Sequence, residues 1–447
     1  MQRYDARPIS AAGIAQSLDS HTLASPTLRS FALAHWRQPA QSWPPPQWQL
    51  DSLTLVAFFF NPDLALARAR LATVQAGEIT AAQRPNPVLQ FPLQRTLNPG
   101  NGESPWILGF ALDVPVETAG KRDYRMKEAA HLLTASRLQL ANVAWGVRSQ
   151  LREQLLLLWS TSERAKLLQQ QAELDEKLVA MLEKRLSAGY ASAWEVNQQR
   201  LSLLQSRNEL LAIQRDLLAA RSGVATVLGL RVDALADLAL DLNEFVQPAP
   251  ALPAHEARLQ ALLNRADVLQ GLQQYEATQA ALQLEVARQY PDLHLGPGYT
   301  FDQGARKLGF DFAGLALPVF NRNQGPIAEA RGRRLEAEAR VKQLEARAFA
   351  EVDSAVAAYE ATRTMVSQNE SQLAVQNRQL KTARRALELG QDDRVSLTLA
   401  EKAELVSRLA VLNATVQMQQ AVGRIEDAMQ RPLSSAAVPY SPSELAQ

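Results

Sequence analysis

The side chains best suited to hold a transition metal or move a proton near neutral pH are five histidines, His21, His35, His131, His255 and His294. No two stand at metal-ligand spacing and no His-Glu-x-x-His pair occurs, so each reads as a structural or surface residue. Cysteine is absent, which removes disulfides, thiolate–zinc sites and thiol catalysis. There is no Walker loop, no Gly-x-Gly-x-x-Gly and no nucleophile elbow. Gly296-Pro297-Gly298 falls inside a stretch of period two and reads as small strand residues rather than a phosphate loop. The carboxylates Glu173, Asp175, Glu176 and Glu183 crowd one helical run beside Lys177 and Lys184, a pattern that predicts a solvated face. The methionines are dispersed and form no soft-metal ladder. Nothing converges on catalysis, and the expectation is a protein that is not an enzyme and carries no cofactor or resident metal.

The 47 basic and 46 acidic residues are interspersed, so no face or tail has the footprint of a nucleic-acid binder. Apolar residues make up 47% of the chain, enough for a sizeable core. The longest apolar run, Leu53 to Phe60, ends at Asn61-Pro62 and falls far short of the roughly 20 residues of a spanning helix. Met1 to Ser20 carries no basic region followed by an apolar core, so no secretory leader is read there.

The elements that must position any site are organised as an internal repeat. Asp63 aligns with Asp267, Gln75-Ala76 with Gln279-Ala280, Pro87 with Pro291 and Leu89 with Leu293 at one constant offset. Further on, Pro115-Val116 aligns with Pro318-Val319, and Arg185 to Gly189 with Ala386 to Gly390, at almost the same offset. This predicts an extended segment and linker over 1–50, a first repeat over 51–250, a second over 251–433 and a tail over 434–447. The Pro-rich stretch Pro39 to Trp48 reads as the extended linker. The first repeat holds a helix from 63 to 84, strands 88–97 and 106–114, a long helix 120–188 and a helix 190–229. The second holds a helix 255–289, strands 293–301 and 308–317, a long helix 326–389 and a helix 391–430. In the first long run apolar residues recur at three- and four-residue steps, as in Val147, Leu151, Leu155 and Leu158. At 1.5 Å per residue such a helix is roughly 100 Å long. A soluble coiled coil satisfies that pattern equally well.

The four strand segments alternate with period two. Leu89, Phe91 and Leu93, then Trp106, Leu108 and Phe110, fall on one face, against Gln90, Gln94, Gly109 and Ala111. Leu293, Leu295 and Tyr299, then Leu308, Phe310 and Phe312, do the same against His294, Gly296, Gly298 and Gly309. Each segment has the length of a tilted membrane strand, and large apolar residues outside with small or polar ones inside is a membrane-barrel alternation. A half-buried soluble sheet alternates identically. Four strands cannot close a barrel, however, and an open edge in lipid is forbidden. Membrane placement therefore requires several chains to share one barrel.

From about residue 50 to 433 the chain resembles the TolC-like outer-membrane efflux family. The likeness rests on Asn61-Pro-Asp-Leu64, on Pro87-x-Leu89 and Pro291-x-Leu293 opening strands, on Pro115 and Pro318 at strand exits, and on the turn glycines Gly189 and Gly390. Val114 to Arg122 and Leu317 to Gly325 look like the heavy-metal (cobalt–zinc–cadmium) branch. The resemblance implies a mixed, mostly α fold. Long antiparallel coiled-coil helices would form a periplasmic helical barrel, and two β-hairpins would give four strands to a trimeric twelve-stranded transmembrane β-barrel. It implies an outer-membrane exit duct for metal cations or drugs. The duct would work as a homotrimer with a periplasmic adaptor and an inner-membrane pump of the resistance-nodulation-division class. The alternative from the residues is a soluble structural coiled-coil scaffold. The resemblance places the tip, gate and adaptor contact at Arg185, Gly189, Glu195, Gly390, Asp392, Asp393 and Arg394, and the lipid-facing barrel on the large residues named above. Relatives that carry a lipid on cysteine cannot be matched here, and Ser396 and Leu399 stand where an acidic ring would be sought.

Overall fold

The structure is a computed structural model that describes residues 3–35, 43–236, 238–247, 254–312 and 317–433. Its helices are α1 (Ala11–Asp19), α2 (Pro26–His35), α3 (Leu50–Phe60), α4 (Pro62–Ala82), α5 (Lys121–Ser187), α6 (Ala193–Leu228), α7 (Ala254–Asn264), α8 (Ala266–Ala287), α9 (Gln324–Glu388) and α10 (Arg394–Met429). Its strands are β1 (Val88–Gln90), β2 (Leu93–Arg95), β3 (Trp106–Val116), β4 (Leu293–Asp302) and β5 (Ala305–Phe312). The chain divides into two compact units, each discontinuous in sequence: 1–67 with 140–265 and 347–447, and 68–139 with 266–346.

The second of these units contains the sheet. All pairings are antiparallel, in the order β1 and β2, then β3, β4 and β5. β1 and β2 are one line in a single register against β3, Val88 opposite Asp113 and Leu93 opposite Leu108. Pro92 interrupts that line because it has no N–H to give, although its carbonyl still accepts from Gly109 N at 3.1 Å. Proline belongs on an edge strand, where this one lies. The strand expected over 88–97 is thus two short pieces. The strand expected over 308–317 instead starts at Ala305, and residues 313–316 lie outside the described ones. Gln303 and Gly304, both at positive φ, make a two-residue turn, so the ladder runs down to Asp302 opposite Ala305. At the centre, Gly296 lies so close to β3 that a Cβ would stand 2.0 Å from the Leu112 carbonyl oxygen.

The other unit is helical and packs α3 at its centre. Leu53, Leu55, Val56, Ala57 and Phe58 are fully buried, so the longest apolar run is a core helix. Asn61 ends it: its Oδ1 accepts from Asp63 N at 2.9 Å, opening α4, while its Nδ2 donates to the Val227 carbonyl at 2.9 Å. Residues 1–50, expected to be extended, contain α1 and α2. Ser10 caps α1 through Gly13 N at 3.1 Å, and α2 buries Leu28 and Ala32. The helix expected over 255–289 is broken at Arg265, whose buried guanidinium reaches Glu351 at 2.5 Å and the Ala428 carbonyl at 3.3 Å. The tail over 434–447 lies outside the described residues.

Charge is buried in this unit as well. Glu426 accepts from Arg148 at 3.3 Å and lies 3.4 Å from Arg152, while Asp427 accepts from Trp145 and Ser149 at 2.9 and 2.7 Å. Glu244, itself at the exposed margin of this cluster, stands close to these groups, and desolvation, only partly offset by Arg152, pushes its carboxyl up to about 7. Burial likewise raises Asp51 and Asp427.

Two outcomes follow from this packing. Gly296→Ala should cost at least about 1–3 kcal/mol by forcing β3 from β4. Gly77→Ala, on α4 with nothing within 4 Å of the added Cβ, should stabilise by about 0.5–1 kcal/mol; denaturation midpoints of the two variants check the contrast. For Glu244 the folded carboxyl titrates above its unfolded value of 4.5. The folded state therefore holds the extra proton, and stability from this group falls as pH rises from 4.5 to about 7. Glu244→Gln should flatten that part of the stability–pH curve.

Candidate functional site

Two surfaces carry the expected site residues, one in each unit. The first is the sheet. Directly opposed residues of antiparallel strands share a face, and the register places Leu89, Leu93, Leu108, Phe110, Leu293, Leu295, Tyr299, Leu308 and Phe310 on the same one. Phe91, Leu308 and Phe310 are 71, 86 and 76% exposed, which is far from the fate of large apolar groups in a water-soluble sheet. Leu293, Leu295 and Tyr299, on a central strand, are only half exposed because neighbours flank them on both sides. The Phe110 and Tyr299 rings stack with centroids 5.7 Å apart, and Trp106 lies under the Arg95 guanidinium. Phe312 pairs with Leu295 through the backbone; its side chain is outside the described ones.

The opposite face is small and polar: Gly109, Ala111, Gly296, Gly298 and Thr300, with a few paired charges. His294 Nδ1 lies 2.9 and 3.1 Å from the Asp113 carboxylate oxygens, Lys307 donates to Asp302 at 2.7 Å, and Gln303 donates to Thr96 at 2.6 Å. At the exit of β3 the stretch Val114 to Arg122 folds into a latch. Buried Lys121 donates to Asp292 and to the Tyr290 carbonyl, both at 2.6 Å, and Thr118 Oγ1 donates to the Pro291 carbonyl at 2.6 Å. These roles were not legible beforehand, since each depends on a partner about 170 residues away.

The second surface is the pair of turns closing α5–α6 and α9–α10. Each long helix ends in the same way. Gly189 and Gly390, at φ 80° and 69°, take the left-handed conformation that costs other residues a Cβ clash. The next residue's N–H then reaches back to the carbonyl five before it, Tyr190 to Arg185 at 2.8 Å and Gln391 to Ala386 at 2.9 Å. Three residues past each glycine a new helix is capped. Ser192 and Glu195 form a reciprocal capping box at 2.8 and 3.2 Å, and Asp393 accepts from Ser396 N at 2.9 Å.

Of the expected gate residues, the structure brings Arg185 and Asp393 together as an ion pair between the two turns. The Ser396 N–H, and then Arg185, hold the Asp393 carboxyl below its usual value. Glu195 and Asp392 instead bond within their own turns, and Arg394 opens α10. Asp175, expected on a solvated face, is fully buried on the seam with Leu168, Ala172 and Leu178. It accepts from Gln199 at 2.7 Å and Lys402 at 2.6 Å, and also from Ser206. Its seam position was the signal available in the sequence.

The family model described as outer membrane efflux protein matches residues 258–429. The cobalt-zinc-cadmium resistance protein CzcC of Cupriavidus metallidurans is 26% identical over 63% of this chain, a match spanning 65% of that protein. The pyoverdine export outer membrane protein OpmQ of Pseudomonas aeruginosa is 25% identical over 84% of this chain and 85% of its own length. CusC superposes with a TM-score of 0.70 at 18% identity, covering 88% of this chain and 95% of that one. VceC of Vibrio cholerae superposes at 0.68 with 20% identity, covering 86% and 97%.

The fold is therefore that of the TolC-like outer-membrane channels. Its residues 258–429 carry the match to the outer membrane efflux protein family, and a relative named as an outer membrane protein aligns over most of the chain. Both relatives are named for resistance or export, and neither as an enzyme.

Arginine at Leu108 or Phe110 should cost about 2–4 kcal/mol if placed near mid-bilayer. Gln90→Arg, on the opposite face of an edge strand, should cost much less. Gly109 is a poor control because a Cβ there would meet Tyr299 O, Pro92 and Thr300 at 3.1–3.2 Å. Refolding into lipid vesicles with urea titration measures the difference, and equal costs on both faces would contradict the assignment.

Proposed function

We propose that this chain is one protomer of a trimeric exit duct that passively conducts substrates expelled by an inner-membrane pump and handed on through a periplasmic adaptor. The observation that carries the reading is the sheet: four strands in one register, counting β1–β2 as one line, with one face apolar and exposed and, among the described residues, an unpaired edge on β1–β2 and on β5. In hydrocarbon each unpaired backbone group costs several kcal/mol. Copies of the chain closing edge to edge remove that cost, and three copies give twelve strands. A row of leucines on α6 at seven-residue spacing, Leu204, Leu211 and Leu218, stands exposed as a seam for the next copy's helices.

The turn end supplies the gate and the adaptor contact. Exposed Tyr190 and Trp194 beside Gly189 offer apolar anchors for a helical partner. The Arg185–Asp393 pair ties the two turns and favours the drawn-together state. Opening is then driven by the adaptor's differential contacts. The pump is of the resistance-nodulation-division class, and the cargo is metal cations, with drugs as the alternative. The relative named for cobalt-zinc-cadmium resistance and the junctions Val114 to Arg122 and Leu317 to Gly325 support that choice.

The gate is tested by single-channel conductance in planar bilayers. An ion pair this exposed contributes about 0.2–1 kcal/mol, enough to shift the open fraction by up to about fivefold per chain. Arg185→Gln with Asp393→Asn, which keeps a good helix cap, should raise conductance. Glu103→Ala in the outer hairpin should leave it unchanged, and so should Glu195→Gln. An intact trimer of the double variant with wild-type conductance would move the gate elsewhere.

A further inference from the structure

The apolar face of the sheet changes character at its hairpin end. Arg95 of β2 stands opposite Trp106 of β3, and Arg306 of β5 opposite Phe301 of β4, which itself opposes Leu108. By that register both arginines lie on the apolar face, not on the small and polar one. Both are exposed. The Arg95 guanidinium lies 5.5 Å from the Trp106 ring centroid, and among the described residues neither arginine has a carboxylate partner. Asp302, next to Phe301, points to the other face and is taken by Lys307 at 2.7 Å. The apolar rows carry no acidic residue at all.

This end of the sheet is the far one from Val116 and Leu293, where the strands meet helical segments. On the reading that α5 and α8 adjoin the sheet at its periplasmic side, this end is the rim at the cell exterior. Two guanidiniums at the border of an apolar band, one stacked on an interfacial tryptophan, are placed where headgroups begin. The planar guanidinium fork matches phosphate oxygens in pairs, and a cation with no carboxylate beside it at a membrane border attracts anionic lipid.

We propose that Arg95 and Arg306 form a binding site for anionic, phosphate-bearing lipid headgroups at the outer rim of the membrane band. The proposal rests on the reading that the apolar face meets lipid. Both arginines sit on edge strands, so closure of the ring sets the Arg95 edge of one copy against the Arg306 edge of the next. One headgroup can then be held across the seam, which makes lipid part of the joint between copies.

The test uses the full-length assembled protein in detergent, titrated with lipid A, phosphatidylglycerol, zwitterionic phosphatidylcholine or inorganic phosphate, with bound molecules counted by native mass spectrometry. The wild type should retain lipid A and phosphatidylglycerol at roughly tenfold lower concentration than phosphatidylcholine, and the preference should shrink with added salt. Arg95→Gln with Arg306→Gln should abolish the preference, and the double lysine variant should keep most of it. A double glutamine variant with the full preference overturns the proposal, as does competition by inorganic phosphate as effective as that by lipid. Should the double variant fail to assemble, each single glutamine variant must lose part of the preference, and full preference in both overturns it. Quenching of Trp106 by brominated phosphatidylcholine, read as wild type minus Trp106→Phe, tests the underlying reading separately. No quenching removes the lipid-facing assignment, whereas quenching without anionic preference removes only the arginine site.

Discussion

A backbone N–H or carbonyl with no partner is tolerable in water and costs several kcal/mol in hydrocarbon. Four strands with one apolar face and two bare edges are therefore an incomplete object in a membrane. Much else in this chain is consistent with that constraint. The sheet keeps one register across all its pairings, so Leu89, Leu93, Leu108, Phe110, Tyr299 and Leu308 share one face, whereas a slip of one residue would invert them all. Pro92 interrupts pairing only on an edge line, and Gly296 sits where the two central strands come too close for a side chain.

The helical hairpins solve a different problem. Helices this long need no further local propensity; they need a defined end and a defined seam. The ends come from a left-handed glycine followed three residues later by a capping Ser192 or Asp393. The seam mixes apolar contacts with buried charge: Asp175 with Lys402, and Arg148 and Arg152 with Glu426. A buried pair of this kind adds little net stability over an apolar one, but breaking it is expensive, so it penalises any other alignment of the helices.

The small and polar face of the sheet suits the proposed passive conduction. The polar face of the sheet pairs its charges locally, as His294 with Asp113 and Lys307 with Asp302, and leaves small residues between them. A wall built this way presents little that would hold a passing solute, and a conduit must bind its cargo weakly.

Much of this was legible from residues alone, for reasons of periodicity. Alternation from Leu89 to Leu93 and from Trp106 to Phe110 declared the strand faces, because side chains on a strand point to opposite sides in turn. Gly189 and Gly390 declared the helix ends, because few other residues adopt their backbone conformation at low cost. What escaped were features set by partners distant in sequence. The hairpin at Gln303-Gly304 is tighter than its composition announces, since glutamine is not a usual first residue of such a turn. The helices α1 and α2 are too short to declare themselves, and α2 is held by what it packs against. Asp175 looked like one acid among several on a wet face until Gln199, Ser206 and Lys402 were seen to surround it. The joining of Arg185 to Asp393 across 208 residues was decided only in three dimensions. The sequence by itself determined which faces are apolar and where the helices turn, because those depend on neighbours within a few residues. Which charges meet was left to the tertiary structure, because an ion pair depends on distance in space and carries no period along the chain.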